Sequence, residues 1–289
     1  EVPPDDSGLR GARMAIMENN TTGHFMKQRF ELKEKIVPVV GDVVSAFREL
    51  IGDGYHFIIT NLAPEALLRV ADLAEAKEAL IFNAGASDDI LRTEQCRANV
   101  LHTIPSRAMM ADALAQYLSL KRWPKWFLIV GRRKEDRLFA EAVKRAAKRF
   151  GAKIVAEKKW EFGPDARRTA QSEVPVFTQE VDYDVLIAAD EIGEFGEYLM
   201  YRTWEPRLVA GTQGLVPTNW DRVHEQWGAA QLQSRFFKTF ERWMNQQDYA
   251  FWSAVRTIGE GATRSGSTDF KKIVGYIHGD KFGLAGFKG

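Results

Sequence analysis

Three stretches of the chain, residues 55–62, 126–131 and 184–191, are short apolar runs that end abruptly in a small or polar residue and pass into a helical pattern. Such runs read as buried parallel strands whose carboxyl ends open into loops, the place where α/β sheets bind ligands. Between them the apolar positions keep helical spacing. Leu9, Ala12, Ala15 and Ile16 predict a helix that begins at Gly8 and stops at the breaker cluster Asn19-Asn20-Thr21-Thr22-Gly23. A strand is expected over 29–37. Asp42 then stands as the N-cap of an amphipathic helix marked by Val43, Val44, Phe47, Leu50 and Ile51 and closed by Gly52 and Gly54. Strand 55–62, helix 64–76 and strand 79–84 continue the alternation, which predicts right-handed crossovers and a parallel sheet flanked by helices on both faces.

At His102-Thr103-Ile104-Pro105-Ser106 an extended, proline-containing stretch marks the first lobe boundary, and a second α/β series follows. It reads helix 107–121, strand 126–131, helix 136–150, strand 153–160, helix 165–179, strand 184–189, helix 194–203 and strand 207–212. Leu138, Phe139, Ala142, Val143, Ala146, Ala147 and Phe150 give helix 136–150 a broad buried stripe. A second extended passage, Gly214 to Trp220, leads to two long helices near 224–245 and 248–265. They have no strands of their own to cover, so they are expected to pack back onto the first lobe. No repeat of 20 to 50 residues is present, which argues against a solenoid.

Length and composition narrow the class. A chain of 289 residues exceeds the usual single domain, so two lobes are expected. Hydrophobic content of 45% and charged content of 27% exclude disorder, and no apolar stretch approaches the roughly 20 residues that span a bilayer. Forty basic residues nearly cancel 39 acidic ones, leaving a net charge of +1 and no clustered basic excess for nucleic acid. Cys96 is the single cysteine, which excludes an internal disulfide and reads as a small buried hydrophobe. The loops Asn61-Leu62-Ala63, Asn83-Ala84-Gly85-Ala86 and Gly131-Arg132-Arg133 all lack a Gly-rich phosphate cradle, which points to binding rather than nucleotide chemistry. The five His show no HExxH or paired metal-ligand spacing, and no Gly-x-Ser-x-Gly elbow exists. No metal site, catalytic residue or catalytic cofactor is therefore expected. An enzyme on this scaffold, with His102 as base, is the alternative from another class; a ligand-responsive regulator would need a DNA-binding helix pair before the first lobe.

The order of one α/β lobe, a crossing at Thr103 to Ser106, a second lobe, a return crossing and a late helical pair resembles the type 1 periplasmic solute-binding proteins of ABC transporters. Gly8-Leu9-Arg10-Gly11-Ala12-Arg13-Met14-Ala15, Thr103-Ile104-Pro105-Ser106 and the closing Phe282-Gly283-Leu284-Ala285-Gly286-Phe287-Lys288-Gly289 share the family's wording. The stretch from Tyr201 to Leu215, followed by Trp220 and Gln226-Trp227-Gly228-Ala229, is similar to a narrower branch. That branch is associated with pyrroloquinoline quinone (PQQ) dependent alcohol oxidation in methylotrophic bacteria. The resemblance implies two Rossmann-like lobes joined by a multi-crossing hinge, the Venus-flytrap arrangement, with residues 1–104 and 218–282 in one lobe and 105–217 and 283–289 in the other. It also implies a periplasmic monomer that clamps PQQ between closing lobes and hands it to a membrane permease and its ATPase. The family's first strand is missing before Gly8, so further residues are expected upstream, and relatives continue beyond Gly289.

PQQ is a planar ring system carrying three carboxylates, so its site is expected to offer aromatic faces and Arg forks. Of eight Trp, Trp220 at the return crossing is the foremost candidate. Trp227 follows it, and Trp252 sits where related amino-acid receptors present an aromatic. For each the alternative is packing, the role read for Trp123 and Trp126. Arg107 follows the first crossing, Arg132 and Arg133 follow strand 126–131, and Arg202 and Arg222 flank the second crossing. For Arg132 and Arg133, in the run from Gly131 to Asp136, a solvated charge cluster at the helix start is the alternative. Asn61, Asn83, Gly85 and Ala86 would supply backbone N–H groups and room for close approach, and Thr212 and Gln213 would hydrogen-bond from the other lobe. Asp190 and Glu191 end a strand where amino-acid receptors of this family place an acid for the ligand ammonium. Unpaired, they would repel a tricarboxylate; an Arg neighbour such as Arg202 would reverse that objection. An amino-acid or amide receptor is accordingly the runner-up.

Overall fold

The alternation of strand and helix is built as two separate parallel sheets. A computed structural model of the chain describes residues 6–38, 40–161 and 166–287, and they divide into one unit up to Ile104 with the residues from Asn219 onward, and a second from Pro105 to Thr218. The first unit begins with α1 (Leu9–Met26), α2 (Val43–Gly52), β1 (Phe57–Thr60), α3 (Pro64–Ala71), β2 (Leu80–Asn83) and β3 (Val100–His102). Its sheet runs β1-β2-β3, all parallel, and the register sets Thr60 beside Asn83 and Asn83 beside His102. Three polar residues therefore share the carboxyl edge of an otherwise apolar sheet.

The second unit contains α4 (Arg107–Leu120), β4 (Lys125–Val130), α5 (Lys134–Arg149), β5 (Lys153–Lys159), α6 (Ala166–Thr178), β6 (Val185–Ala189), α7 (Gly196–Leu199) and β7 (Leu208–Gly211). Its sheet order is β5-β4-β6-β7, again parallel. Strands β4 and β6 are buried on both faces, as their unbroken apolar runs require. Phe139, Val143, Ala146 and Ala147 of α5 cover one face; burying a Phe or Val side chain stabilises by about 1.5–3 kcal/mol.

The chain returns to the first unit with α8 (Ala229–Phe240), α9 (Gln246–Ser265) and α10 (Phe270–Ile277). Helix α9 packs along α1 at very short range. A Cβ on Gly11 would lie 1.9 Å from the Asp248 carbonyl oxygen, and one on Gly259 would lie 2.2 Å from Asn19 Oδ1. Asp248, without exposed surface, ties this region together by accepting hydrogen bonds from Gly8 N, Asn245 N and the Arg242 guanidinium.

Several expectations change in three dimensions. Helix α1 runs through the breaker cluster to Met26, because Asn19 donates to the Val255 carbonyl and Asn20 brackets the Phe30 backbone from both sides. These side chains spend their hydrogen bonds on other segments instead of competing with their own helix. Residues 29–37 form no regular element and belong to no ladder, since β1 pairs only with β2 among the described strands. Strand β3 and helix α10 were not expected from the pattern. Helix 224–245 is broken: Gln226–Gly228 form a 3₁₀ turn with Trp227 at φ 58°, and α8 ends at Glu241 with φ 59°. Helix 194–203 shortens to Gly196–Leu199. Cys96 is exposed rather than buried. Residues 283–287 lie with the first unit, not the second, because Phe287 packs on Trp252 and Gly286 accepts a hydrogen bond from the Tyr249 hydroxyl.

Candidate functional site

In the first unit the carboxyl edge is organised by one neutral side chain. Asn83 Oδ1 accepts from Gly85 N at 3.2 Å and Ala86 N at 2.9 Å, which fixes the amide so that Nδ2 donates. Its two N–H groups meet the Ala86 carbonyl at 2.7 Å and His102 Nδ1 at 3.0 Å. All four hydrogen-bonding positions of the amide are thus used, a requirement for a side chain with no exposed surface. Because Nδ1 of His102 accepts, its proton sits on Nε2. Burial, reinforced by the Arg92 guanidinium, pushes His102 down to about 4, so the ring is neutral. Arg92 is itself tied to the Ile104 carbonyl. The loops after β1 and β2 touch: a Cβ on Gly85 would lie 2.3 Å from Asn61 Oδ1 and 2.9 Å from its Cα. Glycine is needed there for close approach, and Asn61 remains exposed above it. The structure thus brings Asn61, Asn83, Gly85 and Ala86 together, but the Gly85 and Ala86 N–H groups expected to meet a ligand are given to Asn83 Oδ1.

In the second unit the carboxyl edge is built from charges. Arg107, the first residue of α4, is 7% exposed and donates Nε and Nη2 to the two oxygens of Glu191 at 2.7 and 2.8 Å. Asp190 is buried and accepts from Glu194 N, Phe195 N and Gly196 N at 2.9, 2.8 and 2.6 Å, capping the start of α7. Its own N–H donates to Thr212 Oγ1, which in turn donates to the Ala188 carbonyl. Gln213 packs on Gly196, where a Cβ would stand 2.3 Å from its Cγ. The expected Arg neighbour of the acidic pair is thus Arg107 and not Arg202, which lies over the Tyr198 ring and donates to its carbonyl. Asp190 is corrected as well: its carboxylate is consumed by backbone N–H groups, so the acid at this position holds a loop.

The aromatic candidates lie elsewhere. Trp220 is 3% exposed, its indole stacked on Tyr249 at 4.4 Å and 5°. Tyr249 stacks in turn on Trp252, and burial pushes the Tyr249 hydroxyl up to about 12. Trp252 has no exposed surface and donates Nε1 to Glu18, so no solute reaches its ring. Trp227 is the opposite case, 67% exposed. Arg132 and Arg222 are at the surface, and Arg133 pairs with Glu194.

Asp136 is the group that the sequence pattern hid. Read as part of a solvated cluster, it is 1% exposed and accepts from Arg133 N at 3.0 Å and Glu191 N at 2.8 Å. Burial holds its carboxyl above the usual range, and neighbouring Asp190 and Glu194 push the same way. Its signal was positional: an acid at the third residue of α5 whose side chain returns to the Arg133 N–H, with Gly131 leaving room for it. Among the described residues, no group of three or more His, Cys, Asp and Glu is placed to hold a metal ion, and no helix is long and apolar enough to cross a membrane.

A family model described as periplasmic binding protein matches residues 5–171, more than half of the chain. No curated protein matches the sequence. Among solved structures, the chain is similar to a branched-chain amino acid ABC transporter periplasmic ligand-binding protein from Burkholderia xenovorans, with TM-score 0.77 and 16% identity over 96% of this chain and 79% of that one. A leucine-, isoleucine-, valine-, threonine- and alanine-binding protein from Brucella ovis gives 0.72 and 14% over 94% and 78%. A solute-binding protein from R. palustris in complex with benzoate gives 0.67 and 11% over 96% and 82%. At these identities the likeness is one of fold, and the two parallel sheets with their helices agree with the matched family model: the chain belongs to the periplasmic binding protein family and has its type 1 α/β fold.

Proposed function

We propose that the chain is a noncatalytic, periplasmic solute-binding protein of an ABC importer and that its ligand is a small amino acid or its amide. The observation that carries this reading is the Arg107–Glu191 pair, which neutralises the guanidinium best placed to meet an anion. Around it, Glu194 pairs with Arg133 and buried Asp136 and Asp190 add acid to the carboxyl edge of the second sheet, surroundings that oppose a tricarboxylate. At the neutral edge the exposed Asn61 offers an amide, which suits polar, uncharged groups. Two structurally similar proteins are named for the amino acids they serve, which supports the same class. A PQQ receptor, the reading drawn from the sequence resemblance, relied on a Trp220 face and an Arg107 fork; the first is stacked on Tyr249 and the second is engaged by Glu191. A permease and an ATPase are the partners that an importer needs.

Isothermal titration of the ligand-stripped protein with leucine, glutamine, benzoate and PQQ tests the reading. Saturable one-to-one binding of an amino acid with no response to PQQ is the expected result. Binding of PQQ alone would return the assignment to the cofactor.

A further inference from the structure

Arg107 and Glu191 are not equivalent partners. The Arg107 side chain is 8% exposed and the Glu191 side chain 26%, so the carboxylate forms the outer layer of the pair. A buried guanidinium requires a counter-charge, and here both oxygens of Glu191 are given to it. The position of Glu191 does not depend on that contact alone, because its backbone N–H is held separately by buried Asp136. Asp190 is spent on three backbone N–H groups and Glu194 on Arg133, which leaves Arg107 the most recessed cation of this edge and Glu191 the lid over it.

We propose that Glu191 is a specificity-determining residue that masks Arg107, so that the carboxyl edge of the second sheet refuses multiply anionic solutes and would accept them once the carboxylate is removed. The inference rests on the reading of that edge as ligand-facing and adds the rule by which it selects charge.

The test uses citrate as a tricarboxylate probe, titrated at constant ionic strength into the wild type, Glu191→Gln, Arg107→Gln and the double variant. Glu191→Gln keeps an oxygen for the guanidinium but removes the charge. It should bind citrate at least about tenfold more tightly than the wild type, the factor carried by one charge-assisted hydrogen bond, and added salt should erode the gain. The double variant should lose the gain. Arg107→Gln exposes the carboxylate instead and should bind putrescine about tenfold more tightly than the wild type on the same grounds. A folded Glu191→Gln protein without a citrate gain, or a gain that survives in the double variant, overturns the proposal. Should Glu191→Gln fail to fold, the absence of a putrescine gain in Arg107→Gln overturns it. Leucine titrated into the wild type reports separately on the ligand class, since the masking arms read no amino acid: leucine silence with a citrate gain would remove the ligand reading and keep the mask.

Discussion

At the carboxyl edge of the first sheet one neutral side chain, Asn83, holds its loop with four hydrogen bonds, whereas at the edge of the second sheet the loops are held by buried or paired charges, Asp136, Asp190 and Arg107 with Glu191. Both arrangements satisfy backbone groups that the strand ends leave without ladder partners. They differ in what they make the edge sensitive to. A neutral amide responds weakly to salt and to solute charge, while carboxylates and guanidiniums respond to both. The second unit's edge is therefore the one whose loops depend on charge, and the first unit's the one whose loops depend on a neutral amide.

The sharpest way to break this comparison is to remove a central group. Asp190→Ala leaves three backbone N–H groups without their acceptor and should cost about 4 kcal/mol, since hydrogen bonds to a charged group contribute roughly 1.5–3 kcal/mol each and neighbours relax in part. Denaturant unfolding measures this, and a loss below about 1 kcal/mol would show that the loop does not depend on the carboxylate.

Acid separates the two edges next. His102 is neutral in the fold down to about 4 but takes a proton near 6.5 when unfolded. Below 6.5 the unfolded chain binds the extra proton, so stability falls as pH drops from 6.5 to about 4, by roughly 2–3 kcal/mol from this group. Asp136 acts in the opposite sense: its raised folded pKa means that the folded chain takes up the proton first, and acid relieves the cost of burying its charge. Unfolding measured across this range for the wild type and for His102→Gln should give a flatter profile in the variant. An unchanged slope would place the acid sensitivity elsewhere.

The smallest effect is steric. Gly85→Ala would set a Cβ 2.9 Å from the Asn61 Cα and should cost about 1–2 kcal/mol, as overpacking does. The same substitution at Gly54, where nothing lies within 4 Å but φ is +89°, isolates backbone strain from packing. Thermal melts of the two variants compare these causes directly, and equal losses would argue against a packed Asn61–Gly85 contact.

Much of the strand-helix alternation was legible because burial on both faces writes itself as an apolar run and burial on one face as a helical stripe. Asp42 is the N-cap that its position before Val43 announced, accepting from Val44 N and Ser45 N. The site was legible only in part. The sequence placed Asn61, Asn83, Gly85 and Ala86 after two strands, and short loops keep such residues together. It could not show that Arg107 and Glu191, 84 positions apart, meet in a bidentate pair, nor that Trp220 is stacked on Tyr249.

What the chain determined by itself was local: which runs are buried, where helices are capped, and which strand ends carry polar residues. These follow from periodicity and from backbone hydrogen bonding within a few residues. Tertiary structure decided the state of each charged or aromatic side chain, because solvation and pairing depend on neighbours supplied by distant segments. Asp136 looks like any acid at a helix start until the loops after β4 and β6 fold around it, and Glu191 looks like a ligand acid until the first turn of α4 brings Arg107 beneath it.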